Sequence, residues 1–447
     1  MKIKSTLALL VFLLTLSLNA QENSFSLLQA QDYAVQNSYS VQSATLEVDK
    51  SKKKLFESIA LGLPQVFTSA NWTKNISLQA FIADFGNGPE ALQIGTPYSA
   101  AGNINAEQLI FDGSYIVAVM AADVLKENSL NELEKSEIDI REQVAQSYHL
   151  VKVTEETKKI IEENLKFIKQ NYNESKRMFE VGFMEEQDVD QLELIVSNLE
   201  NNLDYVEKQA GIANMLLKFY MGIPVEQEIM LTDDVETLML FSQDGGSLMT
   251  EQFQLENHID YRSLLTQEDG QNLNLKNEQM AYLPKVKFNY NFGYNIFSSQ
   301  ANVFKGEQGI ERADNKIQNI GLNVSVPIFT GGSRAARVQQ AQIELKQVDI
   351  AKKQVSDNLK VQYAVAKAEY DYALKSYFTQ KRNVEISKKI RDVNAKKLAE
   401  GIVSSLEYTQ AENQYQDALS SAIDAANNVL DKKVQLEKML GKYNKVR

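Results

Sequence analysis

Few side chains in this chain are equipped for covalent or metal chemistry. There is no cysteine among its 447 residues, which removes disulfides, thiolate metal sites and cysteine nucleophiles. The two histidines, His149 and His258, each fall inside a helical pattern and read as helix-face residues rather than as a metal pair. No phosphate-binding P-loop, zinc-type histidine pair or Gly-x-Ser-x-Gly elbow occurs. Gly331-Gly332-Ser333-Arg334 has the composition of an anion loop, but a strand-to-helix junction explains it more simply. Acids are plentiful, 59 against 47 basic residues with a net charge of −12. They lie along helical stretches, where charges are usually solvated faces. No enzymatic constellation, cofactor or metal is therefore expected. The acid excess argues against a nucleic-acid partner, for which a basic footprint is needed.

The stretch that organises the chain is 333–400, about 68 residues without Gly or Pro, bounded by Gly331-Gly332 and Gly401. Its Ala, Gln, Lys, Glu, Val and Leu are mostly good helix formers. At about 1.5 Å per residue it makes a helix roughly 100 Å long, which needs a partner along its length. Residues 114–181 form a second such stretch, closed by Gly182 and offset by about 219 residues. Other features share the offset. Leu63-Pro64-Gln65-Val66 matches Leu283-Pro284-Lys285-Val286, and Ile110-Phe111-Asp112-Gly113 matches Ile328-Phe329-Thr330-Gly331. Gly222 matches Gly441, and Asn37 matches Asn257. A period this long, present only twice, predicts two similar halves rather than a solenoid.

Residues 1–20 read as a secretory signal, with Lys2 and Lys4 before an apolar core at 7–18 that is too short to span a bilayer as a helix. The first repeat is expected over 21–222, a connector over 223–251, the second repeat over 252–441 and a tail over 442–447. Within the first repeat we expect a helix at 25–61, strands at 65–78 and 98–111 around a loop, the long helix, and a shorter helix to 221. The second repeats this order: helix 251–282, strand 285–297, loop 298–317, strand 318–329, the long helix and a shorter helix to 440. All six prolines fall outside these helices.

The strands carry the sharpest pattern. Val286, Phe288, Tyr290, Phe292, Tyr294 and Ile296 alternate with Lys287, Asn289, Asn291, Gly293 and Asn295. Ile320, Leu322, Val324, Val326 and Ile328 alternate with smaller or polar residues, and Trp72 shares an apolar face with Val66 and Ala70. Period two marks a two-faced strand. A soluble antiparallel sheet alternates in the same way, but the length and the aromatic density suit a transmembrane strand. Four strands cannot close a membrane barrel, and an open edge cannot sit in lipid. Membranous strands therefore require several chains, and three copies would supply twelve strands.

In this order of elements the chain resembles the outer-membrane efflux protein family, the TolC-like channels. Its local signatures are the Leu-Pro-x-Val strand starts, Leu109-Ile110-Phe111-Asp112-Gly113, Pro327-Ile328-Phe329-Thr330-Gly331-Gly332, and the glycines at 182 and 401. The resemblance implies a mainly α protein with transmembrane β: a homotrimer whose four strands per chain build a twelve-stranded barrel in the outer membrane, continued by a long periplasmic α-helical barrel. It implies a passive duct of a tripartite efflux or type I secretion system in a Gram-negative bacterium, docking a periplasmic adaptor and an inner-membrane pump. It places Asp188 and Glu407 at the acidic gate position, with Gln410 where the family has a second acid and Val403 where it has a basic residue. Closure would then rest on packing or polar contacts other than a salt-bridge latch. Gly182, Phe183, Gly401, Ile402, Ser404 and Ser405 match the adaptor-docking tips, although the glycines would serve equally to end helices. Trp72, Phe288, Tyr290, Phe292 and Tyr294 become the residues that face outer-membrane lipid. The alternative is a periplasmic coiled-coil adaptor or scaffold, which would have one hairpin or no aromatic strands rather than a twofold repeat.

Overall fold

The computed structural model describes residues 24–84, 86, 88–240, 248–305 and 312–444. The signal segment expected at 1–20 and the last residues of the tail lie outside them. In chain order the elements are β1 (Ser24–Phe25), α1 (Leu27–Asn37), α2 (Tyr39–Ala60), β2 (Gln65–Lys74), β3 (Gln79–Asp84), β4 (Pro89–Ile94) and β5 (Tyr98–Phe111). Then follow α3 (Gly113–Glu180), α4 (Glu186–Met221), β6 (Met230–Leu231), α5 (Val235–Leu240), α6 (Ile259–Met280), β7 (Lys285–Ser298), β8 (Arg312–Ser325), α7 (Ser333–Ala399) and α8 (Ser405–Met439). The long helices α3 and α7 contain 68 and 67 residues, within a residue or two of the expected bounds.

The chain divides into two compact units. One takes Met1–Val48, Ser129–Leu264 and Ala351–Arg447; the other takes Asp49–Asn128 and Leu265–Ile350. The first is helical. Its core joins Ala34, Val144, Tyr148, Leu217, Met221, Val429 and Leu430, all fully or almost fully buried. The connector after α4 is tied into this core rather than left loose. β6 pairs in parallel with β1, and the Asp233 carboxylate accepts from the Leu27 amide (2.6 Å) at the start of α1. The Tyr148 hydroxyl donates to the Phe25 carbonyl (3.0 Å) and accepts from the Asp233 amide (3.2 Å). The buried Lys433 ammonium donates to the Leu238 carbonyl at the end of α5 (2.5 Å).

The helix expected over 25–61 is broken at Ser38, whose backbone is extended. The break is filled by the end of α4. Gly222 there has φ +73, and a Cβ on it would lie 2.4 Å from the Asn37 carbonyl oxygen. Only a residue without a side chain permits that approach. The second repeat breaks at the matching place, with a different link. The helix expected over 251–282 runs only from Ile259, after two short 3-10 turns, with His258 extended instead of helical. Asn444, just past the end of α8, donates to the Asn257 carbonyl (2.8 Å).

The second unit holds an antiparallel sheet in the order β2-β5-β7-β8. β2 ends at Lys74, before the expected 78, and the loop after it contains the hairpin β3–β4. β8 runs over 312–325 rather than 318–329. Pro327, which has no N–H for a ladder bond, stops it early. The tyrosine hydroxyl of Tyr115 on α3 donates to the Ile59 carbonyl (2.9 Å), and Gln108 donates to the Gly62 carbonyl (2.7 Å), closing the ends of α2 and β5 together. No helix among the described residues is long and apolar enough to cross a membrane.

Replacing Gly222 by Ala should cost more than the about 1–2 kcal/mol that the left-handed conformation alone imposes, because the added methyl meets Asn37. The same change at Gly401, where φ is +70 but nothing lies within 4 Å of the added Cβ, should cost only the conformational part. Thermal unfolding followed by circular dichroism compares them; equal losses would remove the Asn37 contact from the account.

Candidate functional site

The helix ends at residues 180 and 399 are built identically. Gly182 has φ +84, its amide bonds the Phe179 carbonyl (2.9 Å), and the Phe183 amide reaches back to Met178 (2.8 Å). Gly401 has φ +70, with its amide on Leu398 (3.0 Å) and the Ile402 amide on Lys397 (2.8 Å). These paired bonds satisfy the last carbonyls of each long helix through a left-handed glycine. The turn leaves Phe183 80% and Ile402 64% exposed. Apolar side chains so displayed on a turn contribute little packing among the described residues.

The next helices begin a few residues on. Asp188 lies in the first turn of α4 and Glu407 in the first turn of α8. A carboxylate there meets unpaired amides and the positive end of the helix dipole. The Ser404 hydroxyl caps α8 by accepting from the Glu407 amide (3.3 Å). Ser405 is buried, and its hydroxyl donates to the Asp188 carboxylate and lies 3.1 Å from Gln191 Oε1. Asp188 and Ser405 are thus brought together from residues 217 apart in sequence. Glu407 and Gln410 are exposed and are not part of that contact. Val403 packs against the small core of Ile168, Leu192, Leu199 and Tyr408 behind the turns.

A buried polar cluster, which sequence reasoning did not find, sits beside that core. Arg391 on α7 is 4% exposed, and its guanidinium lies between the rings of Phe167 (4.5 Å) and Tyr415 (4.4 Å). Its Nη1 donates to Asn164 Oδ1 (2.5 Å) and stands 3.8 Å from the fully buried Glu412 carboxylate. Asn164 and Gln416 both donate to that carboxylate, at 2.9 and 2.7 Å. Burial pushes the Tyr408 hydroxyl pKa up, with Glu412 adding to the effect. His149, deeper in the helical unit, is held neutral: burial, then Lys433, lowers its pKa to about 3. No group of His, Cys, Asp or Glu able to hold a metal occurs among the described residues.

The sheet of the other unit segregates its side chains by register. Across the four strands, Ala70, Gly102, Tyr294 and Lys316 stand in one row. Val66, Ala106, Tyr290 and Ile320 form another row on the same face. Trp72, Phe288 and Phe292 share that face, so all five strand residues singled out in the sequence lie together. The opposite face is rich in amides. Asn105, Asn291 and Asn319 stand in one row, with Asn291 donating to Asn105, and Asn71, Asn295 and Asn315 in another. Phe67, Leu109, Phe297 and Ile317 are its large apolar exceptions. β2 and β8 are the edges, with no strand beyond either among the described residues.

Comparison with known proteins defines the class. Residues 254–442 match the family model described as outer membrane efflux protein, the family that the chain resembles by its motifs. The fold agrees over nearly the whole chain. CusC, studied for folding and transmembrane channel formation, superposes with a TM-score of 0.72 at 18% identity, over 93% of this chain and 92% of that one. The CmeC outer membrane channel of Campylobacter jejuni gives 0.70 at 16% identity, over 94% and 86%. The open MtrE outer membrane channel of Neisseria gonorrhoeae gives 0.70 at 17%, over 93% and 88%. No curated protein sequence matches the chain. The fold is that of the TolC-like channels: mainly helical, with strands that leave an open sheet in the single chain.

Arg391→Ala should cost about 3–5 kcal/mol, the usual penalty for leaving a buried charge without its partner. Removing Glu412 as well, as Arg391→Met with Glu412→Leu, should recover much of that. Urea unfolding of the helical signal measures both; a single substitution that left the midpoint unchanged would show that the pair is not closed off from water.

Proposed function

We propose that the chain is one protomer of a homotrimeric outer-membrane channel of a Gram-negative bacterium, its helices standing in the periplasm. The channel is a passive duct that opens when it docks a periplasmic adaptor and an inner-membrane pump, in an efflux or type I secretion assembly. The observation that carries this reading is the open four-stranded sheet with one apolar, aromatic face. Unpaired edge groups cannot remain in hydrocarbon, where each costs several kcal/mol. Pairing β2 of one copy with β8 of the next satisfies both edges, and three copies close a barrel within the known size range. The aromatic face, with Trp72, Phe288, Tyr290, Phe292 and Tyr294, then meets lipid and the amide face lines the bore. The turns at Gly182-Phe183 and Gly401-Ile402, with Ser404 and Ser405 behind the second, are the docking surface. Asp188 and Glu407 are the acids of the periplasmic entrance, with Gln410 beside them in place of a second acid. Threefold rings of carboxylates in a narrow entrance favour cations.

Extraction in mild detergent should give a trimer by mass, with discrete conductance steps in planar bilayers. Tyr290→Asp with Phe292→Asp should abolish assembly in the membrane. A water-soluble monomer or dimer without conductance would favour the scaffold reading instead.

For the entrance, Asp188→Ala with Glu407→Ala should lower cation preference, read as a shift of the reversal potential toward zero under a salt gradient. An unchanged potential would take both acids out of the gate.

A further inference from the structure

The aromatic face of the sheet is not uniform. At the end of the strands away from the helices it opens into a hollow of ≈ 390 Å3, lined by Ala70, Trp72, Ala100, Gly102, Tyr294 and Phe304. Three small residues in adjacent rows create the space between the large rings. A Cβ added at Gly102 would meet no atom within 4 Å. The segment after β7 folds back as a roof. Val303 is 1% exposed and packs on Ala100 and Ile296. The roof is pinned by the Trp72 indole, which donates to the Ala301 carbonyl (3.2 Å), and by Arg312, which donates to the Phe304 carbonyl (3.5 Å).

Around this hollow the charge changes sign. On the same face, Lys74 stands in register with Tyr98, Ser298 and Arg312, and Lys316 stands in register with Tyr294. The Lys74 ammonium lies 5.9 Å over the Tyr98 ring. Asp314, which accepts from the Tyr294 hydroxyl (2.6 Å), is the one acid in these rows. Three cations against one carboxylate, on an outward face of a chain whose net charge is −12, is a local reversal. Cations on a lipid-facing strand are tolerated at the interface and penalised toward the bilayer centre, so these rows mark the headgroup level. Below them β7 turns fully apolar on this face, through Phe292, Tyr290, Phe288 and Val286.

We propose that the hollow and its basic rim form a binding site for one anionic lipid of the outer leaflet. The phosphate is held by Lys74, Arg312 and Lys316, and the first carbons of an acyl chain fill the space beside Gly102 and Trp72. The chemistry favours a lipid over a free phosphate, because the hollow is apolar and would bind nothing polar. The proposal rests on the reading that this face of the sheet lies in the membrane.

Native mass spectrometry of the detergent-purified trimer tests it, with palmitoyl-oleoyl phosphatidylglycerol and the phosphatidylcholine of the same chains as probes. The trimer should retain phosphatidylglycerol about tenfold or more over phosphatidylcholine, given the attraction of a few basic residues for an anionic headgroup. Gly102→Leu, which fills the hollow and leaves the charges, should reduce retention of both lipids. Lys74→Gln with Arg312→Gln and Lys316→Gln, which leaves the hollow, should abolish the preference while sparing phosphatidylcholine. Equal retention of the two lipids by a conducting trimer, or retention unaffected by Gly102→Leu, would overturn this site alone. A chain that never forms a detergent-stable trimer would overturn the membrane reading, and this site with it.

Discussion

A sheet of four strands whose outer strands have no neighbour is the constraint from which the rest follows. In water such an edge invites aggregation, and in lipid it is prohibitively costly. The charges on β2 and β8, Lys74, Arg312, Asp314 and Lys316, gather at one end of the strands and leave the rest of both edges unprotected. No proline lies within either strand, and both are long, at 10 and 14 residues. A neighbouring copy relieves both edges with one symmetric operation, which is the economical solution for a sheet that, as proposed, also keeps one face in hydrocarbon.

The twofold repeat shows how much backbone geometry a sequence can expose when only one residue type fits. Gly182 and Gly401 were legible because a left-handed turn leaves glycine as the residue without a steric penalty. The match of Asn37 with Asn257, and of Gly222 with Gly441, also has a physical meaning in the structure. At Asn37 the end of α4 is pressed into the break through Gly222, and at Asn257 the end of α8 is joined to it by the Asn444 side chain. The breaks themselves were not legible. Nothing in Asn37-Ser38-Tyr39 interrupts helical periodicity, and the extended Ser38 sits against Gly222, which arrives from far along the chain. β8 was misplaced for the complementary reason. Its apolar alternation continues past Ser325, but hydrogen bonding ends with Pro327 nearby.

The candidate site was legible only where it is local. The turns and the first-turn acids are read from short motifs. The contact of Asp188 with Ser405 and the cluster of Arg391 with Asn164 and Glu412 join residues far apart in sequence, and no periodicity announces them. On its own helix Arg391 is one basic residue among several, and only burial between two rings distinguishes it.

That cluster bears on how the turns would work as the proposed docking tips. Phe183 and Ile402 project apolar surface into water, which is unfavourable by about 25 cal/mol for each Å2. Floppy turns would collapse such side chains onto the nearest helix. Here each turn is closed by two backbone bonds and backed by Ile168, Leu192 and Tyr408, while Arg391 and Glu412 tie α3, α7 and α8 together. A buried ion pair adds little net stability compared with apolar packing, but it tolerates only one geometry. A rigid collar behind exposed hydrophobic turns is what a partner would need to find them preformed, and it limits the ordering cost of binding. The acids of α4 and α8 fit the same economy. Placed in first turns, they meet the positive ends of the helices that carry them.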